Sequence, residues 1–243
     1  MRVALISDIH GHLTALDAVL ADIETRDVDA IVCLGDVATI GPHPREVIGR
    51  LGALGCRWVR GNHDAALLDS DKAQALQIAD EILPALGWCR SQLAAAELAL
   101  ISASEETISL PIGADQSLLC YHGSPLCSTD CVTDMTPIGT LTAWFAATRE
   151  SILAGGHTHT QMRRQLDGRT IVNPGSVGCV FRQPPGAGVE VTVQPWAEYC
   201  ILDAGEGYPG VQMHRVAFDT VRFLRSVEGS DTPKREWWLS QYR

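Results

Sequence analysis

Five of the eight histidines of this 243-residue chain stand in short polar clusters together with aspartate, asparagine and glycine. The clusters are Asp8-Ile9-His10, Gly35-Asp36, Gly61-Asn62-His63-Asp64, His122-Gly123 and Gly156-His157-Thr158-His159. Carboxylate, imidazole and amide are oxygen and nitrogen donors of the kind that hold Mn, Fe, Zn or Ni. With no cysteine in these clusters, a soft-metal or iron-sulfur site is disfavoured. Taken singly, each cluster is more often a turn than a site, because short motifs recur by chance. Their significance lies in what precedes them.

Each cluster follows a short apolar run that suits a strand buried on both faces. Val3 to Ile6 leads into Asp8, Ile31 to Leu34 into Asp36, Arg57 to Val59 into Asn62, Leu118 to Tyr121 into His122, and Ile152 to Ala154 into His157. A sixth run, Thr170 to Val172, leads into Asn173-Pro174-Gly175-Ser176. Between the early runs lie helical stretches, one carried by Leu13, Leu16, Val19, Leu20 and Ile23, the other running from Arg45 to Leu54 behind Pro44. This is βαβα alternation, and in α/β sheets ligands bind beyond the carboxyl ends of the strands, where these clusters fall. Residues 65 to 100 read as two helices interrupted at Pro84-Ala85-Leu86-Gly87, and they either cap the site or cover the sheet. After residue 170, apolar runs near 189–193, 199–203 and 211–218 suggest antiparallel strands.

Composition bounds the rest. A chain with 46% hydrophobic and 20% charged residues is globular rather than disordered or fibrous. Its 19 basic and 29 acidic residues give a net charge of -10, which argues against a broad grip on polymeric nucleic acid or on an anionic membrane. Asp8 comes too early for a secretory leader, no apolar run approaches a membrane span, and the eight cysteines form no CxxC pair. The expectation is a cytoplasmic protein with free thiols. Cys127 and Cys131 make only one C-x-x-x-C, a weak zinc signal.

The ordered clusters, together with SDIHGH, the loop GDVATIGPHP, HGSP at 122–125 and NPGSVG at 173–178, resemble the signature of the calcineurin-like metallophosphoesterases. They look most like its small bacterial members related to diadenosine-tetraphosphate hydrolases and YfcE-type phosphodiesterases. The resemblance implies an α/β fold, a four-layer α-β-β-α sandwich with two central mixed sheets. It would form one domain over 1–243, with a helical cap-like segment at 65–115 and a C-terminal tail from about 228.

By the same resemblance Asp8, His10 and His159 would hold one divalent ion and Asn62, His122 and His157 a second, with Asp36 bridging them. A hydroxide shared by the ions would attack the phosphorus, two metals being able to clamp both ends of an in-line displacement. His63 would face the substrate and protonate the leaving oxygen, and Asp64 would orient or acidify its ring. The substrate would be a small phosphate mono- or diester. The alternative is a non-catalytic metal-binding or scaffold protein on the same fold.

His12 reads as a phosphate contact or, slightly better, as a solvent-facing residue near a helix start. His43 reads as a surface residue and His214 as a structural one. Arg182 is either a guanidinium that forks onto phosphate or an ordinary surface arginine. The aromatics of Glu236-Trp237-Trp238 either pack on the domain or mediate self-association into a homo-oligomer.

Overall fold

The computed structural model describes residues 1–183, 191–204 and 209–242. Among the described residues, ten strands form two five-stranded mixed sheets. In the first, β1 (Arg2–Ile6), β2 (Ala30–Cys33) and β3 (Arg57–Trp58) run parallel, and the antiparallel pair β9 (Trp196–Asp203) and β10 (Gly210–Ala217) adds to the free side of β1. In the second, β5 (Ser117–Cys120), β6 (Ile152–Ala154) and β8 (Arg169–Asn173) run parallel, and β4 (Ile108–Pro111) and β7 (Met162–Leu166) close the two edges antiparallel. All six apolar runs that precede polar clusters are therefore parallel strands, three in each sheet.

The layering follows from side-chain alternation along these strands. Val3 and Leu5 of β1 point the same way as Val32, and they meet Leu118, Cys120, Ile152, Ala154 and Val172 of the other sheet in a core between the two. Ala4, Ile6 and Cys33 point outward, against α1 (Leu13–Ile23) and α2 (Pro44–Leu54). On the far side, Leu119, Tyr121, Leu153 and Ile171 pack against Leu141 and Phe145, at α6 (Ile138–Trp144) and just past its end. The result is helix, sheet, sheet, helix. Strands with apolar cover on both faces read as unbroken apolar runs, as they do here.

The segment after β3 differs in detail from its sequence reading. It holds α3 (Asn62–Leu68), α4 (Leu83–Gln92), α5 (Ala95–Ser102) and then β4, which is a strand of the second sheet. Pro84 begins α4 instead of interrupting a helix, since the first turn is where its missing N–H costs nothing. Leu86, Cys89, Leu93 and Ile101 bury against the first sheet's helical layer. The turn from Ala79 to Ile82 reaches the cavity at the strand ends.

Of the late runs, 199–203 falls within β9, which begins earlier at Trp196, and 211–218 matches β10, which ends one residue sooner at Ala217. Val193 makes only an isolated bridge to Phe181, and residues 189 and 190 lie outside the described residues. The C-terminal segment is packed down. After α7 (Thr220–Glu228), α8 (Arg235–Gln241) buries Trp238 completely against Phe223, Val227, Ile40 and Cys179. Gln241 Oε1 accepts from Val193 N at 3.0 Å, which ties the helix to the chain beside the site. All eight cysteines are free thiols.

Candidate metal centre

Parallel strands of both sheets end at the same place, and the loops leaving them turn sharply. Asp8, His10, Asp36, His157 and His159 all have positive φ, between 50° and 67°. Such angles are uncommon outside glycine, and they persist only where surrounding structure enforces them, as it does at functional sites. Gly35, at φ +105°, allows the second loop to pass beneath His122, whose Nδ1 would lie 2.8 Å from any Cβ placed there. Gly156 has the same reason to lack a side chain: a Cβ would fall 2.0 Å from Ser7 Oγ.

The loops bring seven predicted residues into one cluster. Ligand-type atoms of Asp8, His10 and His159 lie within 4.8 Å of one another, and so do those of Asp36, His122 and His157. Asn62 joins the second group, its Oδ1 3.1 Å from His122 Nε2. Asp36 stands between the groups, with Oδ2 3.3 Å from His122 Nε2 and 3.9 Å from His10 Nε2. His63 lies with His10 and Asp36 in a third such group.

Backbone carbonyls fix the ring orientations. His10 Nδ1 faces Thr39 O at 2.8 Å, His122 Nδ1 faces Leu34 O at 2.7 Å and His159 Nδ1 faces Cys179 O at 2.7 Å. A carbonyl only accepts, so each Nδ1 carries the hydrogen and Nε2 is the nitrogen turned toward the centre, with a lone pair to offer whenever the ring is neutral. This is the outer-shell pattern that aims metal-bound imidazoles.

What the lone pairs meet are other acceptors. His10 Nε2 and His159 Nε2 are 3.1 Å apart, and His159 Nε2 is 3.3 Å from Asp8 Oδ1, a buried oxygen with no hydrogen-bond partner. Buried acceptors crowded in this way repel one another unless a cation lies among them. The donor set therefore fits divalent metal ions.

Charge balance in the protein alone agrees with this. Burial pushes Asp8 up, but His159 and His122 outweigh it and bring the carboxyl down to about 2. Burial likewise opposes ionisation of Asp36, and His122 and His63 still hold it well below the usual range. His122 loses to burial but gains more from Asp36, and its pKa rises to about 10, so a proton sits where a cation belongs. His10, buried and beside His159, falls to about 3. His157 falls to about 4 through burial and His122.

The remaining predicted residues divide. His63 Nδ1 is 2.9 Å from Thr39 Oγ1, and its ring lines the cavity above the cluster. Asp64 does not touch that ring, which corrects the expectation for it. Its carboxylate accepts from the amides of Asp36, Val37 and Gly61 at 2.9 to 3.0 Å, clipping the loop after β2 to the loop after β3. Burial, then the charge of Asp36, raises its pKa to about 6.

His12 is neither solvent-facing nor at the cavity. It is fully buried, its Nδ1 caps α1 by accepting from Ala15 N at 3.1 Å, and its ring stacks on Phe223 at 3.6 Å. Burial lowers its pKa to about 3. His43 is half-buried at the start of α2, and His214 stacks on Tyr199. Arg182 is exposed, and its Nε reaches Val193 O at 3.4 Å instead of the cavity.

Several contributors left little mark in the sequence. Thr39 holds two rings at once, His10 through its carbonyl and His63 through its hydroxyl. Phe181 lies flat on His159 at 4.3 Å. The 173–178 loop, seen only as a motif, is a brace. Ser176 Oγ donates to Asp8 O at 2.7 Å, and Asn173 Nδ2 donates to Gly156 O at 2.7 Å.

A cavity of about 460 Å³ opens over the cluster. His10, Asp36, His63, His157 and His159 form its floor, while Ile40, Ile82, Phe181, Val191 and Trp237 wall it.

The calcineurin-like phosphoesterase superfamily domain matches residues 1–194. This chain belongs to that superfamily. A metallophosphoesterase from Sphaerobacter thermophilus superposes with a TM-score of 0.74 at 26% identity, covering 99% of this chain and 98% of its own. A hypothetical protein from Pyrococcus horikoshii shares the fold, with a TM-score of 0.80 at 20% identity over 98% of this chain and 96% of that one.

Among curated proteins, a symmetrical bis(5'-nucleosyl)-tetraphosphatase from Klebsiella pneumoniae is 33% identical over 105 residues, 38% of this chain and 37% of that protein. An uncharacterised protein of Methanocaldococcus jannaschii is 26% identical over 98% of this chain and 96% of its own length. The superfamily match stops within the chain, so α7 and α8 lie beyond it. No helix among the described residues is long and apolar enough to cross a membrane.

Proposed function

We propose that this calcineurin-like protein is a dinuclear-metal-dependent phosphoesterase acting on a small phosphate mono- or diester. The observation that carries the reading is the convergence of Asp8, His10, His159 and of Asn62, His122, His157 on either side of Asp36 Oδ2, acceptor against acceptor. Asp8, His10 and His159 would hold one ion, Asn62, His122 and His157 the other, and Asp36 both. Mn, Fe, Zn and Ni all suit this donor set. When bound, the two ions would supply Lewis acidity toward the phosphoryl oxygens and a deprotonated water at neutral pH.

The chain's own residues do the rest. His63 lines the cavity with Nδ1 tied to Thr39 Oγ1, so in its protonated form Nε2–H would be the proton available to a substrate. As the phosphorus–oxygen ester bond breaks, that proton passes to the leaving oxygen, so the product departs as an alcohol. Burial lowers the pKa of His63, and the nearby Asp36 opposes the fall. Asp64 positions Asp36 through its amide clip and does not itself act on His63.

The test is hydrolysis of a chromogenic phosphate ester by purified protein supplied with Mn(II), Fe(II), Zn(II) or Ni(II). Turnover is expected with at least one metal; His63→Ala should lower kcat by about 10²-fold or more, the usual scale for losing a general acid, and Asp36→Asn should abolish most turnover by removing the carboxylate that would hold both ions. Metal binding without turnover on mono- and diester panels would instead identify a metal-binding scaffold.

A further inference from the structure

The floor of the cavity falls within residues 1–194, which the superfamily domain matches, whereas part of one wall comes from the C-terminal segment beyond them. Trp237, with Lys234 beside it at the rim, lies on and just before α8, beyond the residue 194 at which the superfamily match ends. Ile40, Ile82, Phe181 and Val191 complete an apolar belt between the metal centre and solvent. A phosphate group alone has no use for such a belt, whereas the organic group it esterifies does.

Trp237 is placed rigidly. Its indole N–H donates to Val191 O at 3.3 Å, its ring meets Trp238 edge to face at 4.6 Å, and Trp238 is fully buried with its own N–H on Ile40 O at 3.3 Å. Gln241 holds the same helix to Val193. The indole is only half-buried despite these contacts, which leaves aromatic surface facing the cavity. A fixed indole loses little entropy when a flat ring lies on it, and aromatic pairs gain beyond the area they bury. Phe181, pressed on His159, sets the other aromatic wall close to the metal cluster. A volume of about 460 Å³ is toward the small end of ligand pockets, room for one ring system beside the phosphate rather than a long chain.

We propose that Trp237 is a specificity-determining residue that selects phosphoesters whose organic group is a flat ring, of the aryl or nucleobase class, over aliphatic ones. This rests on the phosphoesterase reading above. It makes α8 part of the substrate site.

The probes are phenylphosphonate and methylphosphonate, which present the same non-hydrolysable headgroup with and without a ring. Their affinities for the Mn(II)-loaded protein are measured by calorimetry for the wild type, Trp237→Phe and Trp237→Leu. The wild type should bind phenylphosphonate at least about tenfold more tightly than methylphosphonate, the scale of one ring stacked on an aromatic side chain. Trp237→Phe should keep most of that ratio. Trp237→Leu, which retains apolar bulk, should bring it close to one while methylphosphonate affinity stays within about twofold. That last reading also shows that the metal centre remains assembled.

A wild-type ratio near one, or a ratio unchanged by Trp237→Leu, overturns the proposal. If both phosphonates bind equally and esters are hydrolysed, the phosphoesterase reading stands and this one falls. If the ring preference is present and no ester is hydrolysed, the phosphoesterase reading falls, and Trp237 selects ring-bearing ligands for binding without turnover. Binding of neither overturns this proposal, and it overturns both readings if no ester is hydrolysed either.

Discussion

Thr39 shows how much of a site can rest on a residue with no chemistry of its own. Its carbonyl fixes His10 at 2.8 Å and its hydroxyl fixes His63 at 2.9 Å, so one residue aims a metal-ligand candidate and the candidate acid together. The carbonyl is insensitive to substitution, but the hydroxyl is not. Thr39→Val keeps the shape and removes the partner of His63. We expect kcat on a chromogenic ester to fall roughly tenfold, a part of what a positioned acid contributes, with KM nearly unchanged. Thr39→Ser should restore the rate, because only the hydroxyl matters, and the pH profile of kcat should shift in the valine variant alone. An unchanged kcat in Thr39→Val would show that His63 is held by the cavity walls.

The same residue marks the limit of sequence reading. Asp8, His10, Asp36, Asn62, His63, His122, His157 and His159 were legible as a candidate cluster because each stands within two to five residues of the end of a strand. A step of that length is local, so the chain alone encodes it. Asp64 was misassigned because adjacency in sequence suggested a partnership with His63, while the backbone turn sends its carboxylate to three amides instead. Thr39 gave no signal, since its two partners are 29 and 24 residues away.

At the scale of elements, the contrast is between strands and the C-terminal helices. The parallel strands other than the two-residue β3, whose Arg57 is exposed, could be read because burial on both faces writes an unbroken apolar run. The docking of α7 and α8 could not, because it depends on His12, Ile40, Cys179 and Val193, all distant in sequence. For that reason His12 was expected in solvent. In the fold it is sealed by Phe218, Phe223 and Trp238, with ring centroids at 4.6, 3.6 and 5.6 Å. Trp238 is the central member of this cluster, and Trp238→Ala should cost about 3–5 kcal/mol by the usual scale for a buried large aromatic. Urea denaturation measures this directly. Because α8 also carries Trp237 to the cavity, the same variant should weaken phenylphosphonate binding. A loss below about 1 kcal/mol would mean that α8 packs loosely and that the cavity wall is not fixed.

At the scale of the whole molecule, the net charge of -10 sets a question that the centre answers. An acidic surface repels phosphate, yet Asp8 and Asp36 sit buried among imidazoles, Asp36 beside His10 and His122 and Asp8 beside His159. Divalent ions there would make the local field positive irrespective of the total, since bound ions dominate local electrostatics. They should also stabilise the fold, because an ion that binds the native chain alone adds RT ln(1 + [L]/Kd), about 2.7 kcal/mol at a hundredfold excess over Kd. For a chain of this size about 2–4 °C accompanies each kcal/mol, so Mn(II) should raise the melting temperature of chelator-treated protein by about 5–11 °C. Asp36→Asn should abolish most of that rise, as Asp36 faces both ligand groups. Differential scanning calorimetry with and without chelator gives both values. The rise must saturate with metal and survive added monovalent salt, because a buried centre is screened far less than surface carboxylates. An equal rise in Asp36→Asn, or one erased by salt, would place the binding on the acidic surface and leave the crowded acceptors of the centre without an explanation.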